Sequence, residues 1–237
     1  MLNMRRILLK LSGESLMRND GYCIDSKKLT YYVNEIKSVV EKNIQVGIVI
    51  GGGNIYRGLQ GSERGIDRVE GDFMGMLATL INSIAIKSEL IEHGIKAKVL
   101  SGIYVDKVAD TFSAQKAIEY LNEGNVVIMA GGSGNPFFTT DTAAVLRALE
   151  IKADVVIKGT RVNGVYDKDP EKFNDAVKYD IITFDRAIEE NLKIMDQTAF
   201  TLCKENNLPI LVFNINNPGD LSKIIDGNFS VGTIVNS

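Results

Sequence analysis

Six short apolar runs, at residues 7–11, 46–50, 97–100, 126–130, 155–157 and 210–213, alternate with segments of helical periodicity, and this alternation constrains the chain more than any other feature. The runs are nearly continuous rather than in-out patterned. Each is therefore expected to be buried on both faces, as strands are in a mainly parallel sheet covered by helices. Within 26–43, Leu29, Val33, Ile36 and Val40 repeat at intervals of three and four, with Ser26 placed to cap the helix. Further helices are predicted over 67–94, 114–124, 141–150, 185–191 and 196–206, with Asp141 and Asp196 as caps of two of them. The expected fold is α/β, a three-layer αβα sandwich with a central, mainly parallel sheet. Segment 161–170 breaks the pattern: Asn163-Gly164 reads as a hairpin turn and Asp169-Pro170 as the end of the excursion. No linker or repeat divides the chain, so one domain over 1–237 is expected.

The chain has 237 residues, 45% of them hydrophobic, enough for one substantial core. A net charge of −3 argues against a broad polyanion-binding surface, and the lack of Trp argues against a stacking platform, so nucleic acid is not an expected partner. The cysteines, Cys23 and Cys203, are far apart and His93 is the one histidine; no metal-ligand spacing results, and no protein-held metal is expected. The first apolar run is too short for a signal segment. No segment approaches the roughly 20 apolar residues of a membrane span, so a cytoplasmic protein away from membranes is expected. His93 at a helix end, Met74 and Met76 in a helix, and the charge run 185–190 are read as dipole, packing and solvated-face features.

In open α/β sheets, ligands lie beyond the carboxyl ends of the strands. Three such ends carry glycine here: Ser12-Gly13, Gly51-Gly52-Gly53-Asn54 and Gly131-Gly132-Ser133-Gly134-Asn135. Glycine admits positive φ and close approach, and successive N–H groups then form a nest for phosphate oxygens. The helix after Asp141 adds the positive end of its dipole. The chain has no Gly-Lys dipeptide, hence no Walker A loop, and no G-x-G-x-x-G. Lys10 sits at a strand end beside the first glycine turn, Arg57 follows the second with a guanidinium suited to phosphate, and Lys158 ends a buried strand where it is placed for ATP phosphates.

The stretches Lys10-Leu-Ser-Gly-Glu14, Gly51-Gly-Gly-Asn-Ile-Tyr-Arg57, Gly71-Asp-Phe-Met-Gly-Met-Leu-Ala-Thr79 and Gly134-Asn-Pro-Phe-Phe-Thr-Thr-Asp141 resemble bacterial uridylate kinases of the amino acid kinase family, over nearly the whole chain. The resemblance implies transfer of the γ-phosphate of ATP, supplied as ATP-Mg, to UMP. It also implies a homohexamer and feedback inhibition by UTP. Lys10 is then expected to bridge the transferring phosphoryl group, with Arg57, Asp141 and Lys158 as the other catalytic residues. Asp141 is expected to orient the lysines or the metal-bound nucleotide. ATP is expected at Lys10, Leu11, Ser12, Gly13, Gly53 and Arg57, with Thr160, Tyr166 and Asp169 at adenine and ribose. UMP is expected at Gly52, at Asp72 through its ribose hydroxyls, and along Ser133, Gly134, Asn135, Pro136, Phe137, Phe138, Thr139 and Thr140. Phe137 and Phe138 read equally well as core, and Asp72 equally well as a helix cap. The stretch Arg18-Asn-Asp-Gly-Tyr-Cys23 keeps one glycine where many relatives carry several, and Lys98 and Asn125 stand where some carry arginine. These departures bear on activation by GTP.

Phosphoryl transfer onto an already ionised phosphate needs cations, oriented N–H donors and alignment rather than a general base. Two alternatives remain: a kinase of the same fold acting on carbamate or an amino-acid carboxylate, and a non-catalytic nucleotide-binding or storage protein.

Overall fold

The computed structural model describes residues 4–18, 24–56 and 65–237. Arg57, Cys23 and the rest of 19–23 lie outside the described residues.

In chain order the strands and helices are β1 (Arg6–Leu11), α1 (Ser26–Val40), β2 (Gln45–Ile50), α2 (Arg68–Glu92), β3 (Ala97–Ser101), β4 (Asp110–Thr111), α3 (Ala114–Asn122) and β5 (Val126–Ala130). They continue as α4 (Thr140–Glu150), β6 (Val155–Thr160), β7 (Ile181–Thr183), α5 (Phe184–Glu189), α6 (Gln197–Glu205), β8 (Ile210–Asn214), α7 (Asp220–Ile225) and β9 (Gly232–Asn236). One nine-stranded sheet runs in the order β4-β3-β5-β2-β1-β6-β8-β9-β7. Its pairs are parallel except β8 with β9.

The six apolar runs are all strands of this sheet, and burial on both faces explains why they lack a two-residue period. Ile7, Leu9 and Leu11 join the cluster that contains α1, α2 and α7 residues. Leu8 joins the cluster of α3, α4, α5 and α6 on the other face. Each fully buried Leu or Ile contributes about 1.5–3 kcal/mol by leaving water. The sheet is thus the middle layer of the expected three. The short edge strands β4 and β7, the antiparallel β9 and helix α7 go beyond the sequence reading.

Four local expectations are corrected. The cap of α1 is Asp25, whose carboxylate accepts from Lys27 N at 2.9 Å and Lys28 N at 3.3 Å; Ser26 already lies inside the helix. No strand pair closes across Asn163-Gly164. The antiparallel bridge there joins Tyr166 to Lys178, and a Cβ on Gly164 would meet Thr233 Oγ1 at 2.4 Å, so glycine serves close approach to β9. Met76 is buried as expected of a packing residue, but Met74 is 40% exposed. Finally, α2 is long and apolar enough by length and composition to cross a membrane, with mean hydropathy 1.3. Its 25 residues are apolar on two sides: Leu80, Ile86 and Leu90 pack on the sheet, while Leu77, Ile81, Ile84 and Ile91 face outward.

Asp25→Ala should cost about 1 kcal/mol in urea unfolding through loss of the cap, whereas Ser26→Ala should stay within about 0.5 kcal/mol of the parent protein.

Candidate active site

Strand register brings the two central lysines together. Lys10 of β1 lies directly opposite Lys158 of β6. Lys10 shares its face with Leu8, and Lys158 shares its face with Val156, so both side chains emerge on the α4 side. Asp141 in the first turn of α4 answers both. Lys10 Nζ lies 2.7 Å from its Oδ1 and Lys158 Nζ 2.6 Å from its Oδ2. Lys158 also donates to the Ile194 carbonyl at 2.6 Å. All three side chains are between 11% and 15% exposed. Burial pushes the Asp141 carboxyl up, but Lys10 and Lys158 outweigh it and hold the group below the ordinary carboxylate value. Burial lowers the Lys158 ammonium against the opposing pull of Asp141.

Asp141 is not the helix cap expected of it. Thr139, with extended backbone, caps α4 by accepting from Asp141 N at 3.1 Å and Thr142 N at 3.2 Å. The Asp141 side chain is thereby left to reach the lysines. Asp196 does cap α6, accepting from Ala199 N at 3.0 Å, and it also accepts from the Thr139 and Thr142 hydroxyls. It ties α4 to α6, a link with no short-range sequence signal.

Beside Lys158 opens a cavity of about 580 Å³. Thr160, Tyr166 and Asp169 line it, as expected, together with Arg161, Lys168 and Lys193, which the sequence reading missed. Asp169 also accepts from Glu171 N at 3.0 Å, which fits the turn at Asp169-Pro170.

The three glycine turns share one rim. Leu11 is core and offers its backbone alone: its carbonyl accepts from Gly51 N at 3.1 Å. The Ser12 carbonyl accepts from Ser15 N at 3.1 Å. A Cβ on Gly13 would meet Gly51 O at 2.4 Å, and one on Gly52 would meet the Ala78 Cβ at 2.7 Å, so close approach requires both glycines. Gly53 is half-buried at the tip of its turn. Positive φ belongs to the third turn, at Gly131, Gly132 and Gly134. The expected nest there is partly satisfied internally. Gly131 N donates to Thr79 Oγ1, Gly134 N to Gly131 O and Asn135 N to Ser133 Oγ.

Pro136 then leads to Phe137, a non-glycine residue at φ 71°. Such backbone is uncommon for a bulky residue and marks a held conformation. Phe137 N donates to Asp72 Oδ2 at 2.7 Å. Arg68 Nε contacts both Asp72 oxygens at 3.0 and 2.9 Å, and its guanidinium lies 5.3 Å from the Phe137 ring centroid. Asp72 is therefore no cap; Asp67 caps α2. Phe137 and Phe138 are 66% and 51% exposed, not core. Thr140 closes the segment, its hydroxyl 3.6 Å from where a Gly51 Cβ would stand.

Residues 5–214 match the family model described as the Amino acid kinase family. A uridylate kinase of Bacteroides thetaiotaomicron is 53% identical over 237 residues, covering all of both chains. One from Parabacteroides distasonis is 54% identical over the same span, again covering all of both. The crystal structure of UMP kinase from Bacillus anthracis superposes with TM-score 0.95 at 39% identity, covering 98% of this chain and 96% of that one. That of UMP kinase from Ureaplasma parvum superposes at 0.94 and 39%, covering 99% and 100%.

Asp141→Asn should leave the Thr139 cap intact and destabilise the protein by about 3 kcal/mol near neutral pH, because two buried ammonium groups lose their carboxylate. A carboxyl held low in the folded protein contributes stability that is present above its unfolded value, near 3.8, and lost as pH falls through the lower folded value. The gap between the parent protein and Asp141→Asn in chemical unfolding should accordingly shrink across that acid window.

Proposed function

We propose that this chain, which belongs to the amino acid kinase family, transfers the terminal phosphoryl group of ATP to UMP, releasing ADP and UDP. One observation carries the reading. The Lys10–Asp141–Lys158 cluster stands at the carboxyl ends of two adjacent strands, beside a nucleoside-sized cavity and at the end of the segment running from Gly134 to Asp141. The relatives named uridylate or UMP kinases support the choice of substrate.

In this reading the nucleoside of ATP occupies the cavity lined by Thr160, Tyr166 and Asp169, and its phosphates run toward Lys158, Lys10 and the turn of Leu11, Ser12 and Gly13, with Gly53 beyond; Arg57 is assigned to the phosphates by the family resemblance alone. UMP lies along Gly52 and residues 133–140, with its ribose hydroxyls on Asp72. Lys10 and Lys158 stabilise the charge that spreads over the transferring group, and Asp141 keeps the two ammonium groups aimed. Among the described residues no group of three or more His, Cys, Asp or Glu is arranged to hold a metal. In this reading Mg²⁺ arrives with ATP as ATP-Mg and would supply further neutralisation between phosphates. UTP, which presents the same uridine with more phosphate, is the feedback inhibitor in this reading. The N-terminal part of a single domain mainly holds UMP, the C-terminal part mainly ATP. The cytoplasmic setting is supported by the free, buried Cys203.

The homohexamer belongs to the same proposal. Met74, Leu77, Ile81, Ile84 and Ile91 recur at intervals of three, four, three and seven along α2, each between 39% and 53% exposed. A stripe of that spacing is self-complementary across a two-fold axis and fits a second copy of the helix.

With ATP-Mg as donor, UMP should be phosphorylated far faster than CMP, AMP, carbamate or acetylglutamate. Lys10→Ala should reduce kcat by about a thousandfold or more without loss of fold. Equal rates with CMP and UMP overturn the choice of acceptor, and turnover of carbamate or acetylglutamate alone favours the carboxylate-kinase alternative. Ile81→Glu should shift sedimentation toward smaller species; an unchanged assembly would remove α2 from the interface.

A further inference from the structure

Helix α2 carries a polar face that neither the core nor the nucleotides account for. Thr79 is 6% exposed and Asn82 is fully buried, three residues apart and so on one side of the helix. Each is committed to a different glycine turn. The Thr79 hydroxyl donates to the Met76 carbonyl at 2.7 Å and accepts from Gly131 N at 2.9 Å. The Asn82 amide donates to the Gly51 carbonyl and to Asn54 Oδ1, both at 2.7 Å, and accepts from Asn54 Nδ2 at 3.0 Å. Asn54, itself 3% exposed, ends the 51–54 turn, and Gly52 rests on the helix backbone of the turn leading into Thr79, where a Cβ would lie 2.8 Å from Gly75 O and 3.1 Å from Thr79 N.

Two turns from different strands are thus hydrogen-bonded to one rigid element through consecutive polar positions. Buried polar side chains cost desolvation unless satisfied, and an apolar pair could fill the same volume. What an apolar pair cannot do is hold a backbone carbonyl of one turn and an amide of the other in register.

We propose that Thr79 and Asn82 are positioning residues: through α2 they set the separation between the 51–54 turn, where the UMP and ATP assignments meet at Gly52 and Gly53, and the 131–135 turn, which leads into the UMP segment, and with it the alignment of UMP on the donor phosphates. The proposal rests on the phosphoryl-transfer reading above. In-line transfer is sensitive to ångström-scale misplacement, whereas binding of either nucleotide alone tolerates it. The signature is therefore in kcat rather than in KM.

The test uses the full-length protein with Thr79→Val, Thr79→Ser and Asn82→Ala. It measures kcat, KM for UMP and for ATP, thermal midpoint, and amide hydrogen exchange of the ligand-free protein. Thr79→Val should lower kcat by about tenfold to a hundredfold with KM for either nucleotide changed less than about threefold, and Thr79→Ser should recover most of the rate. Exchange should rise at 131–135 in Thr79→Val and at 51–54 in Asn82→Ala, with 126–130 staying protected. Retention of kcat within about twofold in both Thr79→Val and Asn82→Ala overturns the inference, as does a loss that tracks the thermal midpoint and is not recovered by Ser. If the parent protein leaves UMP unphosphorylated, the substrate reading fails separately. The exchange data, which need no substrate, then decide the role of α2: unchanged protection at both turns sinks it.

Discussion

Two ammonium groups forced side by side by strand register would repel each other in a site largely screened from water, and the start of α4 is arranged around that fact. Lys10 and Lys158 are adjacent because β1 and β6 are parallel and in register. A single carboxylate, Asp141, takes one ammonium on each oxygen. The cluster of two cations and one anion still keeps one unit of positive charge, and desolvation makes that excess costly. The lowered Lys158 ammonium is the mark of this cost. Asp196, whose charge also bears on Lys158, offsets part of it, and an anion reaching the cluster would offset more.

Asp141 can serve the lysines because it does not serve the helix. Thr139 caps α4, and Asp196 in turn accepts from the Thr139 and Thr142 hydroxyls. A chain of hydrogen bonds therefore runs from the start of α6 through the start of α4 toward the ammonium groups. Below it, burial and the Asp141 charge push the Cys203 thiol up to about 12, so it stays protonated and acts as packing. On the opposite side of the rim, the Asp72 carboxylate binds Arg68 and Phe137 N–H and holds Phe137 in left-handed backbone. Residues 137–139 are thus tied at both ends, to Asp72 and to Asp196, while the Phe137 and Phe138 side chains stay exposed.

The glycines serve two physical ends that sequence alone does not separate. Gly131, Gly132 and Gly134 supply positive φ, as a nest would, and Gly134 serves both ends, since a Cβ there would also meet Gly102 O at 2.5 Å. Gly13 and Gly52 do not; each is glycine because another chain segment passes where a Cβ would stand. A run of glycines in the sequence announces a turn and leaves open whether the reason is a torsion angle or a neighbour.

Much of the fold was legible because its causes are local. Runs such as Val126–Ala130 are buried on both faces and so read as strands without any partner in view; α1 follows from apolar spacing at three and four, and α2 to α6 from segments between the runs with end signals such as Gly94, Asp141 and Asp196. The strand-end position of Lys10 and the glycine turns are likewise local patterns, and the resemblance rested on them. What escaped was set by distant segments. β9 is a strand because β8 lies beside it, Gly164 is glycine because Thr233 presses on a backbone of positive φ, Asn163-Gly164 forms no hairpin because no strand pairs across it, and nothing near Thr79 and Asn82 in the chain announces the turns they hold. The residues that carry charge at the rim were thus determined by the sequence itself. Which oxygen faces which ammonium, and which helix holds which turn, was decided only in the folded molecule, because hydrogen bonds and ion pairs depend on separations through space that bear no relation to separation along the chain.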